Sequence, residues 1–146
     1  MPQQEHTGLL ISAARRRIKQ VVLDRLNARG LTPGQFWMLV ALSEHPDCSL
    51  RELAGRLRLD DPTASRVLAA LARAGYVRMA EDPKDRRRLR ARLTPSGRAL
   101  ARKLTPIAAE VRGTVETALD PRERETLRAL LIKLIAHLDQ SRRSEP

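Results

Sequence analysis

Apolar residues recur at intervals of three and four positions over most of this 146-residue chain. That spacing places them on one face of a helix, and it predicts six helices. The helices cover about residues 7–28, 32–45, 49–58, 61–74, 94–118 and 120–140. Two short segments, 77–80 and 89–93, alternate instead and predict a pair of strands. The pattern therefore predicts a mainly α fold with one β hairpin.

Local start and stop signals support these boundaries. Thr32, with Gln35 three residues later, forms a capping box that starts the second helix. Gly30 and Gly75 follow the first and fourth helices as stop signals. Pro106 lies inside the fifth helix, where a missing N–H and a ring clash are expected to bend or break it.

Residues 49–97 contain two short helices joined by a tight turn, then a strand, an arginine-rich loop and a second strand. This order is typical of a winged helix-turn-helix, whose second helix enters a DNA groove. The residues expected to face DNA are Pro62, Thr63, Ala64, Ser65 and Arg66. Thr63, Ser65 and Arg66 can bind phosphate or base edges, and Ala64 can contact a thymine methyl. Thr63 also fits a capping role, and Arg66 also fits a solvated helix face.

The predicted wing concentrates positive charge in its loop and second strand. Its basic residues are Lys84, Arg86, Arg87, Arg88, Arg90 and Arg92. The cations of the loop, Lys84 and the three arginines 86–88, are expected to contact DNA. An arginine at the tip can enter a narrow minor groove, where the negative potential is deepest. Asp82 and Asp85 are expected to hold the hairpin and to orient the arginines through charge-assisted bonds.

The chain's formal net charge of +11 is concentrated on the same segment. Residues 50–103 hold 15 Lys and Arg against 6 Asp and Glu, so most of the excess lies there. A polyanion such as double-stranded DNA is the expected partner. The alternative is a generally basic surface that reflects an arginine-rich genome.

The sequence lacks the signals of disulfide-stabilised, secreted, membrane-spanning, metal-binding and catalytic proteins. The single cysteine, Cys48, excludes an intrachain disulfide. The N-terminus lacks the pattern of a signal peptide, and no apolar run has the length of a membrane span, so we expect a cytoplasmic protein with no membrane partner. His6, His45 and His137 lie on separate elements, so we expect no metal, no cofactor and no catalysis.

The segment 82–87, with the sequence DPKDRR, and the segment 93–97, with the sequence LTPSG, together resemble the MarR family of bacterial transcription regulators. Segments 50–54, 62–68 and 71–77 extend the resemblance. It implies an intertwined homodimer built from helices 1, 5 and 6 that binds a pseudopalindromic operator, usually as a repressor. Arg87 matches the family's minor-groove arginine, and Asp85 matches the acid that fixes the wing. Thr63, Ser65 and Arg66 match the contacts of the recognition helix.

The terminal helices carry more apolar surface than a winged helix-turn-helix needs. Residues 1–30 and 106–146 are therefore interpreted as a helical dimerisation region, and 31–105 as the DNA-binding domain. Apolar helix surface that remains exposed in this way is most often buried against a second copy of the chain. The alternative is that helix 6 folds back on its own subunit. The candidate dimerisation residues are Leu10, Ile18, Leu127, Leu131, Leu134 and Leu138.

The sequence leaves several hypotheses open about how the protein is regulated. Phe36 and Trp37, with Arg16 or Arg17, could form an apolar wall and a carboxylate partner for a small aromatic or phenolic effector. The simpler interpretation, which we prefer, is that Phe36 is core and Trp37 is half-buried packing. One alternative is a thiol-based redox sensor that uses Cys48. His45 is the only residue beside Cys48 that would lower the pKa of its thiol. A non-specific architectural DNA-binding protein is a further alternative.

Overall fold

The computed structural model describes residues 4–27 and 29–144. Within these residues the chain forms six helices and three strands. Their order is α1 (Thr7–Leu26), α2 (Pro33–Glu44), β1 (Cys48–Ser49), α3 (Leu50–Leu57), α4 (Asp61–Arg73), β2 (Val77–Glu81), β3 (Leu89–Leu93), α5 (Pro95–Glu116) and α6 (Pro121–Arg143). The mainly α winged-helix architecture predicted from the sequence is confirmed. No helix in the described part of the chain has the length and apolar character needed to cross a membrane.

Local signals account for most of the helix ends. The Thr32 hydroxyl accepts the Gln35 N–H at 3.1 Å, and the Gln35 side chain accepts the Thr32 N–H at 3.0 Å, which completes the capping box of α2. Helix α1 ends at Leu26, because Asn27 adopts the left-handed conformation with φ of 47°. The predicted last residue of that helix, Ala28, lies outside the described residues.

Helix α5 continues through Pro106, so the proline, expected to bend or break the helix, does not break it. The Thr105 hydroxyl donates to the Ala101 carbonyl at 2.9 Å, within the turn that precedes the proline. Leu104 and Ala108 are buried on either side of Pro106. Their packing against the core stabilises the helix where the proline removes one N–H donor.

The sheet has three antiparallel strands in the order β1–β3–β2. Strands β2 and β3 form the predicted hairpin, with Val77 paired to Leu93 and Glu81 paired to Leu89. The sequence did not indicate β1, which is only two residues long and pairs Cys48 with Ala91. This third strand joins the segment before α3 to the base of the wing.

The described residues up to Val111 form one compact unit, and those from Arg112 onward form another. The core of the first unit centres on α2, which is buried on most sides, and the largest side chains in that core include Phe36, Met38, Leu39, Leu42, Leu53, Leu68, Leu71 and Leu104. In the second unit, Asp120 and Glu123 form the capping box that starts α6. Glu116 also forms ion pairs with Arg124 and Arg128.

Candidate DNA-binding site

Helices α3 and α4 are held together by a short apolar contact surface. Leu53 and Ala54 of α3 and Leu68 and Leu71 of α4 are buried in the core. Arg58, at the end of α3, has a left-handed φ of 52°, which allows the tight turn into α4. This packing fixes the direction in which the first turn of α4 is presented to solvent.

The first turn of α4 carries polar side chains on its open side. Asp60 caps the helix, because its carboxylate accepts the Thr63 N–H at 2.7 Å. Pro62, Ser65 and Arg66 are exposed, whereas Thr63 is half-buried. The Arg66 guanidinium donates to the Thr63 hydroxyl at 3.3 Å, so the two side chains lie side by side. A guanidinium on an open helix turn can bind a guanine edge or a phosphate.

Ala64 does not belong to this open surface. Its side chain is fully buried, with no exposed area. Ala64 precedes Leu68 by four residues and Leu71 by seven, so all three share the helix face that packs on the core. The prediction that Ala64 contacts a thymine methyl is therefore wrong.

The wing loop is folded around its two aspartates. The Asp82 carboxylate accepts the Lys84 N–H at 2.9 Å, and the Asp85 carboxylate accepts the Arg87 N–H at 3.1 Å. The Asp82 N–H also donates to the Arg88 carbonyl at 2.8 Å, which closes the loop. The Lys84 N–H, followed by the Arg90 guanidinium, holds the pKa of Asp82 below its usual range. Asp82 therefore supports the loop as an anion.

The cations of the loop project into solvent. Lys84, Arg86, Arg87 and Arg88 are all exposed, and the Arg87 side chain is 95% exposed. The Asp85 carboxylate lies 3.7 Å from Arg87 Nε and 3.6 Å from Arg88 Nε, so both pairs are loose. Surface pairs of this kind contribute little energy, which leaves the guanidiniums available to an external anion.

Asp47 is a structural residue of the wing that the sequence pattern did not indicate. Its carboxylate accepts from Arg90 Nε at 2.9 Å and from Arg92 at 3.1 Å. Arg90 also donates to Asp82 at 3.0 Å, so Asp47, Arg90 and Asp82 form one chain from the end of α2 to the wing loop. Arg92 first, and then Arg90, lowers the pKa of Asp47, and Asp47 followed by Asp82 raises the pKa of Arg90. No local signal could reveal this contact, because 43 residues separate Asp47 from Arg90.

A separate cleft of about 520 Å³ lies between α1 and the start of α2. Arg15, Arg16 and Lys19 supply positive charge to its wall, and Trp37 supplies an aromatic surface. Phe36 is fully buried in the core and does not line the cleft, so its assignment to an effector pocket is wrong. Its ring packs edge-on against Trp37 with centroids 4.8 Å apart, and it therefore supports the cleft from behind.

Cys48 is poorly placed for redox chemistry. Its side chain is 2% exposed, and burial, followed by the charge of Glu52, raises the pKa of its thiol. A buried neutral thiol reacts slowly with oxidants. Among the described residues, no three His, Cys, Asp or Glu side chains are grouped so that they could hold a metal ion.

The outer helices expose apolar side chains within each unit. In the first unit, α1 exposes Leu9, Leu10, Ile18 and Leu23. In the second unit, α6 exposes Leu127, Leu130, Ile132 and Leu138. Leu131 and Leu134 of α6 are half-buried. Four of the six predicted dimerisation residues, Leu10, Ile18, Leu127 and Leu138, are therefore exposed in the single chain.

Comparison with known proteins agrees with this arrangement. A model of the MarR family matches residues 29–88. The HTH-type transcriptional repressor NicR of Pseudomonas putida is 30% identical over 131 residues, which cover 90% of this chain and 83% of NicR. The chain belongs to the MarR family. NicR is a transcriptional repressor, so this chain is similar to a regulator rather than to an enzyme.

Two further relatives define how far the likeness to MarR proteins extends. The HTH-type transcriptional regulator TtmR of Methylorubrum extorquens is 36% identical over 110 residues, which cover 75% of this chain. The chain spans 54% of the length of TtmR. The solved structure of Bordetella bronchiseptica BpsR, whose DNA binding is regulated by 6-hydroxynicotinic acid, is 31% identical with a TM-score of 0.74. That match covers 89% of this chain and 98% of the BpsR chain.

Proposed function

We propose that this MarR protein is a sequence-specific regulator that binds double-stranded DNA as a homodimer, on a pseudopalindromic operator, in the cytoplasm. The observation that carries the proposal is the pairing of two exposed elements within one unit. They are the first turn of α4, with Ser65 and Arg66, and the wing loop with four exposed cations. A helix that enters the major groove and a basic loop that enters the minor groove are complementary modes of reading DNA.

The roles of the individual side chains follow from their placement. Arg66 reads a base edge, with Thr63 and Ser65 beside it, and Pro62 allows the helix N-terminus to approach the backbone. Arg87 enters the minor groove, because its side chain is more exposed than that of Arg88, at 95% against 60%. Lys84, Arg86 and Arg88 bind phosphates on either side. Asp82 and Asp85 position the loop without touching DNA.

The exposed apolar faces of α1 and α6 support the homodimer. Contact with a second copy removes these faces from water, which is favourable by about 25 cal/mol per Å² of apolar surface. Sedimentation velocity tests this step. A dimer at micromolar concentration is expected, and Leu127→Glu with Leu138→Glu is expected to give monomers that remain helical. A monomeric wild-type chain would contradict the dimer.

A small aromatic carboxylate is the effector class that the α1–α2 cleft suits. Trp37 offers a stacking surface, and Arg16 offers a partner for a carboxylate. BpsR, which is regulated by 6-hydroxynicotinic acid, supports the same class. We expect 6-hydroxynicotinic acid to release the protein from DNA, and its neutral amide to have a much weaker effect. Arg16→Gln should weaken the response, while Lys133→Gln on α6 should leave it intact.

Repression is the regulatory outcome we propose, and the name of NicR as a repressor supports it. A footprint on the promoter DNA of the protein's own gene tests the function. We expect two symmetric protected half-sites that overlap the promoter. Uniform protection of all DNA would identify an architectural DNA-binding protein instead.

A further inference from the structure

A second cleft, of about 390 Å³, opens between the end of α2, strand β3 and the start of α5. It shares no lining residue with the cleft of Arg16 and Trp37. Its wall combines apolar and basic side chains, and those that carry the argument are Leu42, Pro46, Leu93, Arg92, Arg98 and Arg102. The volume lies within the range typical of small-molecule sites.

The positive charge in this cleft is not balanced by the protein. Asp47 is the acidic residue among the lining side chains, and it already accepts from both Arg90 and Arg92. Arg98 donates one N–H to the Leu93 carbonyl at 3.1 Å. The Arg102 guanidinium has no hydrogen bond or ion pair with any residue that the structure describes.

Arg98 and Arg102 are four residues apart on α5, so their side chains lie one helical turn apart on the same face. Like charges at this spacing destabilise a helix. An anion between the two guanidiniums would relieve that repulsion. Because guanidinium groups form paired, charge-assisted hydrogen bonds with carboxylates, a carboxylate fits the position well.

We propose that this cleft binds a small organic anion. The carboxylate of this anion lies between Arg98 and Arg102, and the apolar part of the anion packs on Leu42, Pro46 and Leu93. The site is distinct from the proposed effector cleft and does not depend on the proposed DNA-binding function. It adjoins the base of the wing, because Asp47 lies in the cleft and also holds Arg90.

Fluorine NMR of the full chain without DNA tests the site, with 4-fluorobenzoate as the probe. We expect the wild-type protein to bind 4-fluorobenzoate and to bind neutral 4-fluorobenzamide at least about tenfold more weakly. Arg98→Gln and Arg102→Gln should each weaken 4-fluorobenzoate binding by about tenfold or more. Lys103→Gln is the matched control, because it removes the same charge from the next position of α5, and it should leave the affinity within about twofold.

Two further variants test whether the probe binds in this cleft rather than elsewhere on the chain. Asp47→Asn removes the competing carboxylate, so it should bind the probe at least as tightly as the wild type. Arg16→Gln removes the carboxylate partner of the proposed effector cleft, so the probe binding that remains in this variant is the binding at Arg98 and Arg102. That remaining affinity should still fall about tenfold when Arg102→Gln is added. Equal losses in Arg102→Gln and Lys103→Gln, a loss confined to Arg16→Gln, or no binding at millimolar probe would each overturn the proposal. An effect of Arg102→Gln on duplex DNA binding alone would assign the cleft to DNA phosphate, and this would overturn it too.

Discussion

Gly97 lies directly against the backbone of Tyr76, so that a Cβ at position 97 would fall 2.0 Å from the Tyr76 carbonyl oxygen. This close approach joins the start of α5 to the turn between α4 and β2. Thr94 completes the joint, because its hydroxyl donates to the Gly75 carbonyl at 2.6 Å and accepts the Gly97 N–H at 3.0 Å. The segment that closes the wing is therefore attached to the turn at the end of α4.

Gly97→Ala is expected to destabilise the fold by about 3 kcal/mol or more, because backbone atoms cannot move aside as a flexible side chain can. Urea unfolding followed by circular dichroism measures this loss. Gly55→Ala is the control, since a Cβ there meets nothing within 4 Å. In the helix interior that change should stabilise the protein by about 0.5–1 kcal/mol. Equal stability of the two variants would contradict the close contact.

Asp82→Asn is expected to weaken operator binding several-fold although the Asp82 side chain is buried. The Lys84 N–H and the Arg90 guanidinium donate to the Asp82 carboxylate, which lowers the pKa of Asp82 and favours its ionised form. Loss of that charge loosens the wing loop. Fluorescence anisotropy measures the affinity, and hydrogen exchange of the Lys84 amide reports the order of the loop.

Glu81→Gln is the matched control for Asp82→Asn, because it changes the net charge equally at an adjacent, exposed position. It should bind operator as well as the wild type or slightly better. If both variants bound DNA equally and the Lys84 amide stayed protected, Asp82 would have no role in shaping the wing.

Arg87→Ala is expected to weaken operator binding and to lower the slope of log affinity against log salt by about one. The reason is that Arg87 is almost fully exposed and is held only loosely by Asp85. Arg73→Ala, at the far end of α4, is the control and should leave the slope unchanged. An unchanged slope in Arg87→Ala would rule out a contact with phosphate or the minor groove.

Arg66→Ala is expected to relax sequence preference at one base pair in each half-site, with about 1–3 kcal/mol of discrimination lost. Arg66→Lys keeps the charge but lacks the planar fork, so it should keep the salt slope and still lose the preference. Affinity measured across single-base operator variants provides the test. A uniform loss for all sequences would show that Arg66 holds phosphate only.

Periodicity in the sequence was sufficient to predict the helices, the hairpin and the position of the cationic loop. These features depend on local spacing, caps and turns, such as the capping box of Thr32 and the charged run at 84–88. The sequence was a weaker guide to which side of each helix is buried. Phe36 lies on α2, which is buried on most sides, so the amphipathic pattern could not separate its inner side from its outer side.

Contacts between segments that are far apart in the sequence could not be predicted from local patterns. Strand β1 is two residues long and exists because β3 supplies its partner. Asp47 acquires its role only when folding brings it to Arg90 and Arg92. Ala64 is a small residue beside polar ones, and only the packing of Leu68 and Leu71 reveals that it faces inward.

The first turn of α4 and the wing are proposed to read a specific DNA sequence, and one titration tests this most directly. Fluorescence anisotropy compares the affinity of the wild-type protein for its footprinted operator with that for a shuffled duplex of equal length and composition, at one salt concentration. We predict binding to the operator that is tighter by a factor of about 10³ or more. Equal affinity for the two duplexes would contradict sequence-specific reading.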